Sequence, residues 1–340
     1  MSLKSFVLFS VAIATLSCGS SSTNPFVPTG GGNTGSTKMI SGTLLSYGDR
    51  TPLTGVAITL GQSISTTDNQ GRFSFANAPT SGGAVLTASP PGHLFRGFGV
   101  SLSQAPADLV IDAIRDAAPF SLAFYRAWAR NGFESLELQA TKPWTRDPSF
   151  YVQMLVDGTT TRVDPDVVEQ IRQDFVKSIP ELTGGKFHLA AFETGDAPRP
   201  LADGWVNLTF YTQLGGAFAQ SSVGGNSGTM SIRYGMVSSQ TTNPTNCSSP
   251  EVSLADHEIT HTMGFWHTQN VFADSFSGTG CPGAPRPDHI RYHSTVMYSR
   301  PVGNKDPDLD PATTTGLQAP GSETRVVVSC FGDGSRLTRR

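Results

Sequence analysis

Charge is scarce in this 340-residue chain: Asp, Glu, Lys and Arg make up 15% of it, and 24 basic residues face 27 acidic ones. The formal net charge of -3 and the lack of any basic cluster leave no electrostatic footprint for nucleic acid, which is set aside as a partner. Low charge, with 36 glycines and 23 prolines, argues against a helical bundle and for β-structure joined by long loops. Long apolar runs are missing too. The stretch from Phe6 to Leu16 is too short to cross a bilayer as a stable helix. Cysteines number only four.

An early Lys4 followed by that short apolar run reads as a signal peptide over residues 1–18. Two cleavage readings stand open. Ala12-Ile13-Ala14 suits ordinary signal peptidase, whereas Thr15-Leu16-Ser17-Cys18 resembles a bacterial lipobox with Thr15 where Leu is usual. The expected product is an exported cell-envelope lipoprotein with its lipid on Cys18, and plain secretion is the alternative. Residues 19–37, rich in Gly, Ser, Thr and Pro, form a flexible tether, so membrane contact runs only through the anchor. With Cys18 lipidated, Cys247, Cys281 and Cys330 are left, an odd number. Export predicts one disulfide and one spare thiol. Cys247 with Cys281 is the first choice because they flank a histidine-rich stretch, and three buried small side chains are the alternative.

The length suggests two folded units. Over residues 38–115, ISGTLL, VAITL, FSFAN, AVLTAS and LVIDAI read as strands separated by turn-forming YGDRTPLTG, TTDNQG and SPPGH, which predicts a small all-β sandwich. The order GTLL, PLTGVAITL, STTDNQGRFSFANAP and LTASPPGH resembles the carboxypeptidase regulatory-like, transthyretin-like domain. That resemblance implies a carbohydrate- or partner-binding module or an inert spacer, and the lack of clustered aromatics or charges favours the spacer.

Residues 116–340 have another texture. PFSLAFYRAWARNG suits a short amphipathic helix and PSFYVQMLV a buried strand. Asp164 can cap a long helix that starts at Pro165, buries Val168, Ile171 and Phe175, and ends at Pro180 and Gly184-Gly185. KFHLAAFE, GWVNLTFYTQ and TMSIRYGMV follow as strands, predicting a twisted mixed α/β sheet. TMSIRYGM is expected at the edge, where an extended substrate can pair with it. Ser249, Pro250 and Glu251 then start a second helix that Gly264 ends.

That helix carries HEITHTMGFWH. His257 and His261, four apart, project from one helical face, and Gly264 can reverse the chain so that His267 completes a three-histidine site. Three nitrogen ligands without cysteine leave a position open for water, the arrangement of one catalytic Zn2+. Glu258, beside a ligand, suits a general base for metal-activated water. The pattern HExxHxxGxxH resembles the metzincin metalloproteases. The resemblance implies an α/β catalytic domain with an active-site helix, hydrolysis of peptide bonds in a protein or peptide substrate, and a methionine turn below the metal. Met297 in STVMYSRP is the candidate for that turn. If PDHIRYHSTVMY is instead a helix, Met297 is plain core and the floor falls to loop 270–274, with Phe272 in place of methionine.

Asp306, Asp308 and Asp310 in NKDPDLDP alternate as calcium ligands do, but a solvated loop is favoured because no glycine turn or distal glutamate completes the site. His188, His289 and His293 carry no assignment, and no latency segment resembling those of the family precedes the motif. The expected function is a zinc-dependent endopeptidase. Its rival is a surface adhesin or binding protein with a catalytically silent zinc domain, against which the intact Glu258 argues.

Overall fold

Alternation builds the first half of the fold. In β1 (Thr37–Ser46), Ile40, Gly42, Leu44 and Ser46 are buried while their neighbours are not, the period-two pattern of a half-covered strand. The computed structural model describes residues 36–106, 108–236, 249–268, 285–312 and 326–330. β1 lies between antiparallel β4 (Arg72–Pro79) and parallel β7 (Asp108–Ala113). A second sheet is antiparallel throughout, in the order β3 (Ser63–Thr66), β2 (Ala57–Leu60), β5 (Gly83–Ala88), β6 (Arg96–Ser101). Ile40, Leu44, Ile58, Phe73, Leu86 and Ile111 share one core. Five of these seven strands fall on the expected alternations. β3 is short and polar, and β6 is interrupted by Gly97 and Gly99, so neither carries the apolar signal of a strand.

In the second half, β9 (Ala191–Gly195), β8 (Ser149–Gln153), β10 (Trp205–Tyr211) and β12 (Gly228–Arg233) run parallel in that spatial order. β11 (Ala219–Ser222) is antiparallel to β12, and β13 (Val327–Cys330) is antiparallel to β11, completing a six-stranded mixed sheet. This corrects the expectation for TMSIRYGM: β12 is interior, because the polar segment AQSS pairs along its outer side as β11. Among the described residues four helices accompany the sheet: α1 (Leu122–Arg130), α2 (Pro165–Thr183), α3 (Pro250–Thr262) and α4 (Asp288–Tyr298). The fold is mixed α/β with several sheets.

α2 starts as its sequence suggests. The Asp164 carboxylate accepts the Asp166 N–H, Pro165 opens the first turn, and Val168, Ile171 and Phe175 are buried against the sheet residues Phe150, Val152, Val206 and Leu208. Pro180 does not end it. The helix continues to Thr183 and stops where Gly184 takes φ 63, a left-handed value that glycine adopts without a Cβ penalty.

Residues 304–311 form a seam between the two cores. Their backbone bonds to β6 in both directions, Gly97 N–H to Asp308 O at 2.9 Å and Asp310 N–H to Gly97 O at 2.8 Å. Gly97 and Gly99 are small because Leu309 and the Pro311 carbonyl occupy the space a Cβ would need. Arg96 reaches Asp310 at 2.6 Å, and Arg300 forks onto Asp308 at 2.8 and 2.9 Å while holding Asp112 at 2.6 Å. Arg126 grips Asp306 through two 2.8 Å bonds. The three alternate aspartates of the calcium reading therefore face arginines. Among the described residues no helix is long and apolar enough to cross a membrane. Cys18, Cys247, Cys281 and loop 270–274 lie outside the described residues.

Candidate metal centre

α3 is made to end abruptly. Ser249 Oγ accepts the Val252 N–H at its start, Pro250 fills the first position and Glu251 sits near the positive end of the helix dipole. His257 and His261 lie one turn apart. Two residues beyond Thr262, Gly264 takes φ 101, and a Cβ there would stand 2.6 Å from the Lys142 carbonyl oxygen. Only glycine fits both the conformation and the space. A buried helix end needs partners for its last carbonyls. Trp144 Nε1 donates to Thr262 O at 2.7 Å and Tyr298 OH to Met263 O at 2.7 Å.

Past the reversal, the chain is held against α1. Trp266 N–H donates to Trp128 O at 2.8 Å, and Phe265 stacks on the Trp128 indole with ring centroids 4.8 Å apart. This delivers His267 to the other two histidines. Nε2 of His261 is 3.1 Å from that of His257 and 3.0 Å from that of His267, and the third side of the triangle is 3.2 Å. Four-coordinate nitrogen ligands ~2.0–2.1 Å from one zinc ion are separated by roughly 3.3–3.4 Å, so the triangle is close to that spacing.

The other ring nitrogens decide which protons are present. His261 Nδ1 donates to Phe265 O at 2.9 Å, and His267 Nδ1 donates to the Glu134 carboxylate at 2.5 Å. In neutral rings both Nε2 atoms then carry lone pairs and cannot hydrogen-bond to one another. Burial, with the neighbouring imidazoles, pushes His257 and His261 well below the usual histidine range, so the neutral forms prevail. Lone pairs about 3 Å apart in a buried site repel unless a cation sits among them. Three buried histidines, His257, His261 and His267, stand close enough to hold one metal ion.

Glu258, between the first two of these in sequence, is fully buried, and its backbone carbonyl accepts Ser221 Oγ from β11 at 3.2 Å. Asp256, just before His257, forms a buried pair with Arg286 at 2.6 Å, and Arg286 also donates to Ser178 of α2 at 2.7 Å. Met297 belongs to the last turn of α4, so PDHIRYHSTVMY is a helix there and not a turn. Its buried side chain belongs to the main core, with Cε 3.4 Å from the place a Cβ would take at Gly264. His293 is structural. Its Nδ1 donates to His289 O at 2.7 Å, leaving Nε2 to accept the Ser121 N–H at 2.9 Å ahead of α1.

Sequence reasoning missed Glu134, Trp144, Tyr298 and Lys142, which act on the site from far along the chain and carry no motif spacing. No protein-family model matches the chain, and no curated protein matches it.

Proposed function

We propose that the chain is an exported zinc-dependent endopeptidase of metzincin type. In this reading residues 38–115 are a transthyretin-like β-sandwich, residues 116–340 are the peptidase region, and the substrate is a protein or peptide. One observation carries the proposal: three buried imidazoles converge on a point, two of them with lone pairs directed inward by their other hydrogen bonds, and a buried glutamate follows the first in sequence.

His257, His261 and His267 would hold a divalent ion there, which would supply Lewis acidity and make water easier to deprotonate near neutral pH. Glu258 takes the proton of the attacking water and returns it to the departing amine, so no serine or cysteine nucleophile is needed. The left-handed turn at Gly264 keeps His267 in register with α3.

A casein or peptide-library digest, with and without chelator, tests the reading on the wild type and Glu258→Ala. Expected are cleavage by the wild type, its loss with chelator, and its loss in Glu258→Ala with bound metal retained. Cleavage by Glu258→Ala at the wild-type rate refutes the mechanism. A wild type that holds zinc but cuts nothing in the library turns the reading toward a silent binding domain.

A further inference from the structure

We infer that Glu134 is a positioning residue of the metal centre, holding the His267 imidazole as a ligand from the opposite side of its ring. The inference rests on the metal-binding part of the reading above and not on peptidase activity.

The contact is direct and sheltered. His267 Nδ1 lies 2.5 Å from Glu134 Oε1, with the two side chains 4% and 15% exposed. A carboxylate there can only accept, so it fixes the proton on Nδ1 and leaves Nε2 free to bind the ion. It also makes the imidazole more electron-rich and a stronger ligand.

The second carboxylate oxygen makes the case sharper. Glu134 Oε2 is buried with no hydrogen-bond partner among the described residues. A carboxylate with one oxygen left unpaired costs stability, because one hydrogen bond does not replace lost hydration. Positive charge behind the ring changes the balance: a divalent ion on Nε2 polarises the Nδ1–H bond and attracts the carboxylate through it.

The backbone delivers Glu134 to this place by construction. Asn131, at φ 58, ends α1 in the left-handed region and turns the chain back. Gly132 N–H donates to Arg126 O at 2.8 Å, and Ser135 N–H to Asn131 O at 3.0 Å, closing the turn that carries residue 134. The same helix supplies Trp128, whose carbonyl and ring hold residues 265 and 266. α1 and the turn after it thus fix both the backbone before His267 and the far edge of its ring. Arg130 anchors the helix end with bonds of 2.6 and 2.5 Å to Asn304.

The test is zinc affinity of the full chain, measured at neutral pH by competition with a chromogenic chelator for the wild type, Glu134→Ala, Glu134→Met and Glu134→Gln. Ala and Met remove the acceptor, and Met keeps the volume should the Ala variant not fold. Both are expected to weaken zinc binding roughly 10- to 100-fold, while Gln, whose carbonyl can still accept, recovers part of the loss. The low-field NMR signal of the His267 Nδ1 proton is expected in the zinc-bound wild type and absent from the Ala and Met variants. Zinc Kd values for Ala and Met within twofold of the wild type, with or without a fall in Tm, overturn the inference. If the wild type itself fails to bind zinc, the metal-centre reading falls with it. If zinc binds and no peptide is cut, only the peptidase reading fails.

Discussion

α2 and α3 begin and end alike, with a side-chain cap, a proline in the first turn and a positive-φ glycine soon after the last residue. Their surroundings differ. α2 turns Glu169, Gln173, Val176 and Lys177 to solvent and buries one face that is mostly apolar but includes Asp174, Ser178 and Thr183, whereas α3 is buried from Glu251 to Thr262 with Asp256, His257, Glu258 and His261 inside. A helix of the first kind is held by the burial of its face. The second kind places ionisable groups where apolar side chains would be more stabilising, so its stability must come from neighbours: Arg286 beside Asp256, and Trp144 and Tyr298 on its last carbonyls. Departures of this kind from packing rules are expected at functional or strained sites.

The comparison can be broken most severely at the buried ion pair. Arg286→Met should leave Asp256 buried without its guanidinium and cost about 3–5 kcal/mol, read from urea unfolding. Next is the terminating glycine. Gly264→Ala should cost more than about 2 kcal/mol, because a strained φ and the Lys142 carbonyl both oppose the methyl group. Gly184→Ala on α2, where the neighbour is the Thr295 side chain, should cost less, about 1–2 kcal/mol.

Acid sharpens the contrast. In the metal-free protein burial holds His257 and His261 well below the ordinary histidine value of about 6.5, so below that pH the unfolded chain binds more protons than the folded one. Their contribution is therefore complete above pH 6.5 and is lost as pH falls toward the depressed folded values. Thermal unfolding between pH 8 and 5 should show Tm falling below about 6.5, with a smaller fall for His261→Ala. The smallest effect belongs to α2: Arg172→Met removes only an exposed contact with Glu169 and should leave the urea midpoint unchanged within error.

Much of this contrast was legible in the sequence, and for physical reasons. Caps, proline and glycine act within one turn, so both helix starts could be read from Asp164-Pro165 and Ser249-Pro250. The three histidines are likewise local to one helix and its reversal. Contributions from distant segments left no such mark. Glu134 meets His267 across 133 residues, and Arg96 meets Asp310 across 214. β11 has no apolar alternation because its role is to pair with β12 and β13 and to touch α3 through Ser221. Met297 was read as either a turn or a helix, and it lies in a helix with its side chain in the main core, as the helical reading had it.

The claim on which the rest depends is that the three imidazoles share one ion. Metal analysis of the dialysed full chain, after incubation with zinc, measures this directly. One zinc per wild-type chain and none above background in His261→Ala is the predicted result. Equal zinc content in the two proteins, or none in either, would contradict it.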